Sequence, residues 1–343
     1  MLKSTCLDYS LLLLASTGKK SFTNLGKIIK KSSDTVRRML SPEEKIFTTL
    51  DSIAKYMFKG KKELVLSIDD TLIKKFFSKS IEGTDKFFDT KTNGMIMSYK
   101  LLVGALTDGK HTIPVQCNFL LSKAMATNAA ALKEELVQTM ITKAQKMFPN
   151  KIIIVAADGA FATRNILKWA LGSNVKMEVR MHSNRVISYK GERVQIRKVA
   201  DLVPKGRHMA HTIQAMWGDL LLHITAHRRI DRHGEETIVY QAATYKAAPA
   251  KHVAIYKKRW FIEKLFRTTK QSLGLQECFS TKLNTQSSHV AFVLLAYALA
   301  QIEMKKHKHR TPEEAIRSFK HKDFSFLKSR LSSLGEIFGG THA

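Results

Sequence analysis

Two short apolar runs, each closed by aspartate, constrain this chain more than anything else in it. Leu64 to Ile68 reads LVLSI, and Ile152 to Ala157 reads IIIVAA. Such β-prone runs, without polar alternation, suit strands buried on both faces of a sheet. Asp69 and Asp70 follow the first run, and Asp158 follows the second. A carboxylate ending a buried strand is costly unless it is solvated or meets a cation. The plain alternative is a strand-end turn, or a helix cap by Asp70.

The segment between the runs supplies the rest of a sheet. Met95 to Leu106 and His111 to Leu121 are strand-like and are joined through Asp108-Gly109, the signal of an antiparallel hairpin. Residues 130 to 147 carry Leu132, Leu136, Met140 and Ala144 at helical spacing. A helix is also expected from about Ala162 to Gly172. The order strand–strand–strand–helix–strand is the layout of an RNase H-like fold, of α/β class. In a mixed sheet of that kind the two carboxylates would lie close together.

A third stretch bears on the same point. Tyr256 to Leu275, YKKRWFIEKLFRTTKQSLGL, has no proline, and no glycine before Gly274. Read as one helix at about 100° per residue, it places Tyr256, Arg259, Glu263 and Lys270 in one stripe. Phe261, Ile262, Leu265 and Leu273 lie on the other side and suit a core. The bland reading of the stripe is a solvated face with i,i+4 ion pairs. The sharper one is a metal-ligand glutamate beside phosphate-binding cations, which requires further carboxylates elsewhere. Asp69 (or Asp70) and Asp158 are those carboxylates.

Charge narrows the partner. Of 343 residues, 57 are Lys or Arg against 29 acidic, a formal charge of +28, while 44% are hydrophobic. The chain is therefore globular, and its imbalance points to a polyanion, first of all nucleic acid, with ribosomal or membrane-surface binding as weaker alternatives. Basic residues run through the whole sequence, which suggests an extended footprint. Cys6, Cys117 and Cys278 are far apart with no zinc spacing, so a reducing cytoplasm is the expected setting. No apolar run is expected to reach membrane-spanning length, and Leu11 to Ala15 lacks the features of a signal peptide.

The remaining regions divide by pattern. Residues 1–58 are expected to be helical. Within Lys20 to Leu40, an apolar face of Leu25, Ile28 and Ile29 precedes a turn and a second helix, capped by Ser33 or Asp34. That helix has Val36, Met39 and Leu40 inward and Thr35, Arg37 and Arg38 outward, the pattern of a helix-turn-helix or of any small helical hairpin. Residues 59–174 and 249–302 form the two parts of the core. Residues 175–248 are a β-rich insertion with strands expected at Val175–Val179, Val186–Tyr189, Arg193–Val199, Ala215–His227 and Thr237–Tyr245. His182, His208 and His211 there have no metal spacing. His289 to Ile302 is an apolar closing helix, and residues 303–343 a basic, peripheral C-terminal tail with one helix near Pro312 to Phe319.

Three carboxylates with flanking cations suit phosphodiester chemistry, which uses two divalent ions about 3.5–4 Å apart. Carboxylate oxygens are natural ligands for Mg²⁺. At this point the residues resemble a known family. Tyr256-x2-Arg259-x3-Glu263-x6-Lys270 is similar to the Tyr-Arg-Glu-Lys signature of bacterial insertion-sequence DDE transposases of the IS-four group. SIDDT resembles that group's first-aspartate segment, ADGAF its second, and the β-rich insertion its inserted domain; the likeness covers roughly residues 60 to 300.

The resemblance implies a transposase that cuts at transposon ends and joins the 3′-hydroxyl to target DNA. Asp69, Asp158 and Glu263 would hold Mg²⁺, with Mn²⁺ as a substitute. Asp69 is preferred over Asp70 because Asp69-Asp70-Thr71 fits the group's Asp-x-Thr. Tyr256, Arg259 and Lys270 would bind phosphates. Trp217 is either a base-stacking residue, as in some relatives, or a core tryptophan, and Trp260 is expected to pack. The partners implied are double-stranded DNA with terminal inverted repeats and target DNA, on a homodimer in a bacterial cytoplasm, at the nucleoid. Two other readings are a decayed copy acting as a DNA-binding regulator and an RNase H-like structure-specific nuclease.

Overall fold

The computed structural model describes residues 4–40, 43–76, 80–120, 122, 128–206, 209–230, 233–320 and 322–332. Four helices come first: α1 (Ser4–Ala15), α2 (Phe22–Ile28), α3 (Ser33–Arg38) and α4 (Glu43–Met57). Then follow β1 (Glu63–Lys74), β2 (Asp85–Asp89), β3 (Gly94–Thr107), β4 (Thr112–Leu120), α5 (Ala129–Met147), β5 (Ile152–Ala157), α6 (Arg164–Gly172) and β6 (Lys176–Met181). Five strands come next: β7 (Val186–Tyr189), β8 (Glu192–Gln195), β9 (Ala210–Trp217), β10 (Leu220–Ile230) and β11 (Glu236–Ala243). The chain closes with α7 (Pro249–Lys258), α8 (Trp260–Ser272), α9 (Leu283–Lys306), α10 (Pro312–Phe319) and α11 (Phe324–Ser332).

The two apolar runs lie side by side at the centre of a mixed sheet. β1 pairs parallel with β5 from Glu63↔Ile152 to Ile68↔Ala157 and antiparallel with β3 from Val65↔Thr107 to Lys74↔Ser98. β3 pairs antiparallel with β4, and β5 parallel with β6. Along β1 the side chains alternate between two covered faces, so the run must be apolar throughout. Leu64, Leu66 and Ile68 enter the main core, and Val65 joins Ile154, Ala156 and Ile255 beneath α7.

Several boundaries differ from the sequence reading, each for a visible reason. β1 does not end at the aspartates. It continues to Lys74 because β3 still pairs with it after β5 has stopped. β2 was not expected; it is a short strand on the outer edge of β3. The stretch Ala215–His227 is a hairpin turning at Gly218, which has a φ of +65° that favours glycine. Ile196–Leu202 is 3-10 helix rather than the end of a strand. Through β11 on β6, and β10 and β9 beyond, the segment 175–248 continues the core sheet, an 11-stranded whole.

The helical ends also have physical causes. The caps of α2 and α3 are Ser21 and Ser32, whose hydroxyls accept from Asn24 N and Thr35 N; neither Ser33 nor Asp34 serves. α9 is long and apolar enough by length and composition to cross a membrane, contrary to expectation, but 89% of that window is buried inside the protein. It is the core helix against which α1, α4, β4 and α10 pack. Ala315, Ile316 and Phe319 of α10 are buried, so this part of the basic C-terminal segment is docked rather than a tail. Residues 333–343 of that segment lie outside the described residues.

Candidate active site

The register of three parallel strands builds the site. Ile68 is level with Ala157, and Ala157 with Val179. The next residues along these strands, Asp69, Asp158 and Arg180, are therefore neighbours across the sheet. In-register residues of parallel strands share a face, and this face is the one on which Val65, Ile154 and Ile255 meet under α7. β5 ends at Ala157, so Asp158 leads into the 3-10 turn Gly159–Phe161 without capping it by its side chain. Gly159 lies close to β6, where a Cβ would make ordinary contacts of 3.4 Å with the Arg180 carbonyl oxygen and 3.5 Å with His182 Nε2.

Two helices cover this face. The expected single helix from Tyr256 is interrupted at Arg259, where Arg259 N bonds Tyr256 O at 3.0 Å and Ile262 N bonds Arg259 O at 3.1 Å, each three residues back. α8 buries Ile262, Leu265, Phe266, Thr268 and Thr269, while Phe261 is only half-buried. The helix stops as Leu275 N returns to Thr269 O. Gly274 follows it with φ +71°, where a side chain would collide with Lys20. The result turns Glu263 and Lys270 toward β1.

Arg259 is the hub. Its Nη1 donates to Asp69 Oδ2 at 3.1 Å, and its Nη2 donates to Glu263 Oε1. The Arg259 guanidinium also stands over the Tyr256 ring, 5.6 Å from its centroid. Lys270 Nζ donates to Thr71 Oγ1 at 2.6 Å, two residues beyond Asp69 on the same face. The Tyr256 hydroxyl and Arg259 Nε are buried and lack a well-formed hydrogen bond.

The electrostatics follow from burial and crowding. Burial raises the Asp69 carboxyl to about 7; Arg259 opposes this, and Asp70 and Asp158 add to it. Burial likewise lifts the Tyr256 phenol to about 12, against Arg259 and with Asp158. Burial lowers Lys270 to about 8, aided by Lys91 and Lys74. For Arg259 burial acts against the charge, but Tyr256, Asp69, Glu263 and Asp158 outweigh it and hold the guanidinium above its ordinary value.

Asp70 faces the other way. Its two oxygens meet Lys100 Nζ and Lys133 Nζ, each at 3.3 Å, on the α5 side of the sheet. The geometry thus separates the two adjacent aspartates that sequence left open. Trp217 is buried, and the Arg185 guanidinium stands 5.3 Å from the centre of its ring. Trp260, expected to pack, is 50% exposed. Arg37 and Arg38 are exposed on α3, Arg37 paired with Asp34 at 3.3 Å. His182 is exposed, His211 half-buried, and His208 lies outside the described residues. Arg180 was missed; its signal was its place one residue past the third parallel run.

The donor set here is oxygen only, which suits a hard divalent cation. Among the described residues no three His, Cys, Asp or Glu side chains are already set to hold a metal ion. Between Asp69 and Glu263 the Arg259 guanidinium stands in as the cation. Donor chemistry therefore fits a divalent ion, on condition that Arg259 releases the two carboxylates.

The sequence model of one family, described as the transposase DDE domain, matches residues 60–299. Among curated proteins none matches the chain. Among solved structures, the Mos1 transposase paired-end complex with left transposon end is 13% identical, covering 46% of this chain and 53% of that one, with a TM-score of 0.21. The Mos1 strand transfer complex is 12% identical over 46% and 52%, with a TM-score of 0.19. The chain thus spans about half the length of these structures, and likenesses at that level carry no weight for fold or function.

Proposed function

The chain belongs to the DDE-domain transposase family, and from that premise we propose that it cuts DNA at transposon ends and joins the freed 3′-hydroxyl to target DNA. We further read it as a member of the IS-four group. The order β4-β3-β1-β5-β6, antiparallel then parallel about β1, supports an RNase H-like core. The observation that carries the reading is Arg259 bridging Asp69 and Glu263, with Asp158 next to Asp69 across the sheet. Binding alone does not need three acids on a face turned toward a polyanion, since like charges repel it.

Asp69, Asp158 and Glu263 would hold divalent ions, Mg²⁺ or Mn²⁺. When bound, these ions lower the pKa of the attacking water or hydroxyl and stabilise the charge on the leaving oxygen. The protein's own groups do the rest. Arg259, released from the carboxylates, presents a planar fork that grips a phosphate through two donors. Lys270 adds a compact charge level with Thr71. Arg180 lies beside Asp158 and carries a further cation to the edge of the site. The Tyr256 hydroxyl, held protonated by burial, donates to a phosphate oxygen. The reaction is hydrolysis of the end phosphodiester, releasing a 3′-hydroxyl. Attack of that hydroxyl on a target phosphorus then expels a target 3′-oxygen. Cutting both ends together calls for a dimer on DNA, with Arg37 and Arg38 as end contacts, in a bacterial cytoplasm.

The test is nicking of labelled DNA carrying the element's end, by wild type and Asp158→Asn, with Mg²⁺ and with chelator. Metal-dependent nicking at the end, absent in the variant, supports the reading. Tight binding with no nicking in Mg²⁺ or Mn²⁺ would instead assign a DNA-binding regulator. Nicking directed by DNA structure, without regard to the end sequence, would assign the nuclease.

A further inference from the structure

The sheet face that carries Asp69 does not end at the site. Asp69 pairs with Val103 of β3, and alternation along β3 brings Leu101, Tyr99, Met97 and Met95 to the same face. β2 pairs with this end of β3, Lys86 opposite Met97 and Phe88 opposite Met95. Phe88 and Met95 are 55% and 60% exposed, although they are cross-strand neighbours on an apolar pair of positions. Adjacent large apolar side chains left open to water mark a contact surface.

The hairpin that carries them is closed by its own side-chain contacts. The buried Asp89 takes Lys74 Nζ at 2.6 Å, Thr92 Oγ1 at 2.9 Å and Lys91 N at 3.4 Å, and Asn93 closes the turn with φ 51°. Around the apolar pair the exposed charges are Lys86 and Lys91, neither in an ion pair among the described residues. Lys91 is close enough to Lys270 to act on it electrostatically, so the basic surface runs on from the site. A second copy of this surface would bring like charges together, whereas DNA complements them. From Val103 to Met95 is eight positions of β3, about 27 Å at a strand rise of about 3.4 Å, or roughly eight base pairs of duplex.

We propose that the β2–β3 hairpin is a DNA-contacting arm. Phe88 and Met95 enter the minor groove of the duplex about eight base pairs from the cut, and Lys86 and Lys91 hold its backbone. Apolar wedges of this kind partly unstack a base step, and flanking lysines supply the salt-dependent attraction. The distance along the duplex rests on the active-site reading above; the contact itself does not.

The experiment measures binding of the full chain, in chelator, to a fluorescein-labelled 40-base-pair duplex of arbitrary sequence over a salt series. Phe88→Ser/Met95→Ser is expected to lose roughly tenfold in affinity with an unchanged salt slope, and Phe88→Tyr/Met95→Leu to restore it. Lys86→Ala/Lys91→Ala is expected to reduce the slope of log K against log salt by about 1.8. All three pairs are exposed or conservative, so each should melt with wild type. Wild-type affinity and slope in the serine and alanine pairs would overturn the proposal. So would a change from dimer to monomer at unchanged affinity per chain, which would make the surface a contact between copies. Arm effects without any nicking by wild type would leave the arm standing and remove the transposase reading, and nicking with a silent arm would do the reverse.

Discussion

Asp69 and Asp70 are consecutive in β1, yet they sit on opposite faces of the sheet with opposite charge balances. On the α5 side one carboxylate has two lysines, at 3.3 Å each, and is satisfied. On the α8 side Asp69 and Glu263 share one guanidinium, and Asp158 stands next to Asp69 across the sheet. The first arrangement is complete as it stands and serves to hold α5 on the sheet. The second shares one guanidinium between two carboxylates, and a further cation would complete it. Local stoichiometry of charge, more than any single contact, distinguishes a structural acid from a reactive one.

The sharpest way to break that comparison is to neutralise one acid on each face. Asp158→Asn should reduce end nicking by at least about a thousandfold, the equivalent of roughly 4 kcal/mol in the barrier. Asp70→Asn should leave nicking within about tenfold. Comparable losses in a nicking assay would end the distinction between the faces. Next in size is Arg259→Lys, which keeps the charge and loses the fork. Nicking should fall by roughly a hundredfold while duplex affinity changes little; an unimpaired variant would mean that the guanidinium geometry is not used.

A smaller effect concerns stability. Asp69 keeps its proton to about pH 7 when folded and to about pH 4 when unfolded. The folded state therefore binds more protons between these values, so this group's contribution is intact below about pH 4 and is lost as pH rises through 7. Asp69→Asn removes that loss. In chelator it should be more stable than wild type by about 2 kcal/mol at pH 8, from a three-unit shift discounted for partial solvent screening, and by much less at pH 5. Urea titrations showing a constant difference across pH would mean that burial does not raise Asp69. The smallest effect is at Lys270, lowered to about 8. Its charge is lost as pH rises through that value, so wild-type affinity for duplex should fall by a few-fold from pH 7 to 9. Lys270→Arg should hold its affinity.

Much of the core was legible because the two all-apolar runs admit few structures other than adjacent buried strands. Their register then follows from where each run stops. The identity of the acid at position 69 was not legible from spacing, since alternation alone cannot say which face receives a covering helix; Ile255 and Arg259 decide it. The end of β1 was misread because partner strands, not the local residues, determine how far a strand continues. The Ala215–His227 hairpin was hidden by a two-residue turn, Gly218-Asp219, inside an otherwise strand-like run. The burial of Trp217 was hidden for the same reason: only the cross-strand partner Leu220 and the Arg185 guanidinium near its ring show its surroundings. Arg180 could have been found by extending the logic of the two aspartates to the third run.

The interruption at Arg259 gives the two halves of the signature separate foundations. α7 rests on β1, β5, β6, β9 and β10, the middle and far side of the sheet. α8 rests on β1, β4, α9 and α10, the near side and the core helix. Tyr256 is thus seated with one set of neighbours and Glu263 with the other, with Arg259 at the break between them. The strand the two helices share is β1, which carries Asp69. A break at this point lets two differently seated helices converge on one carboxylate, which a single straight helix on either foundation would not do.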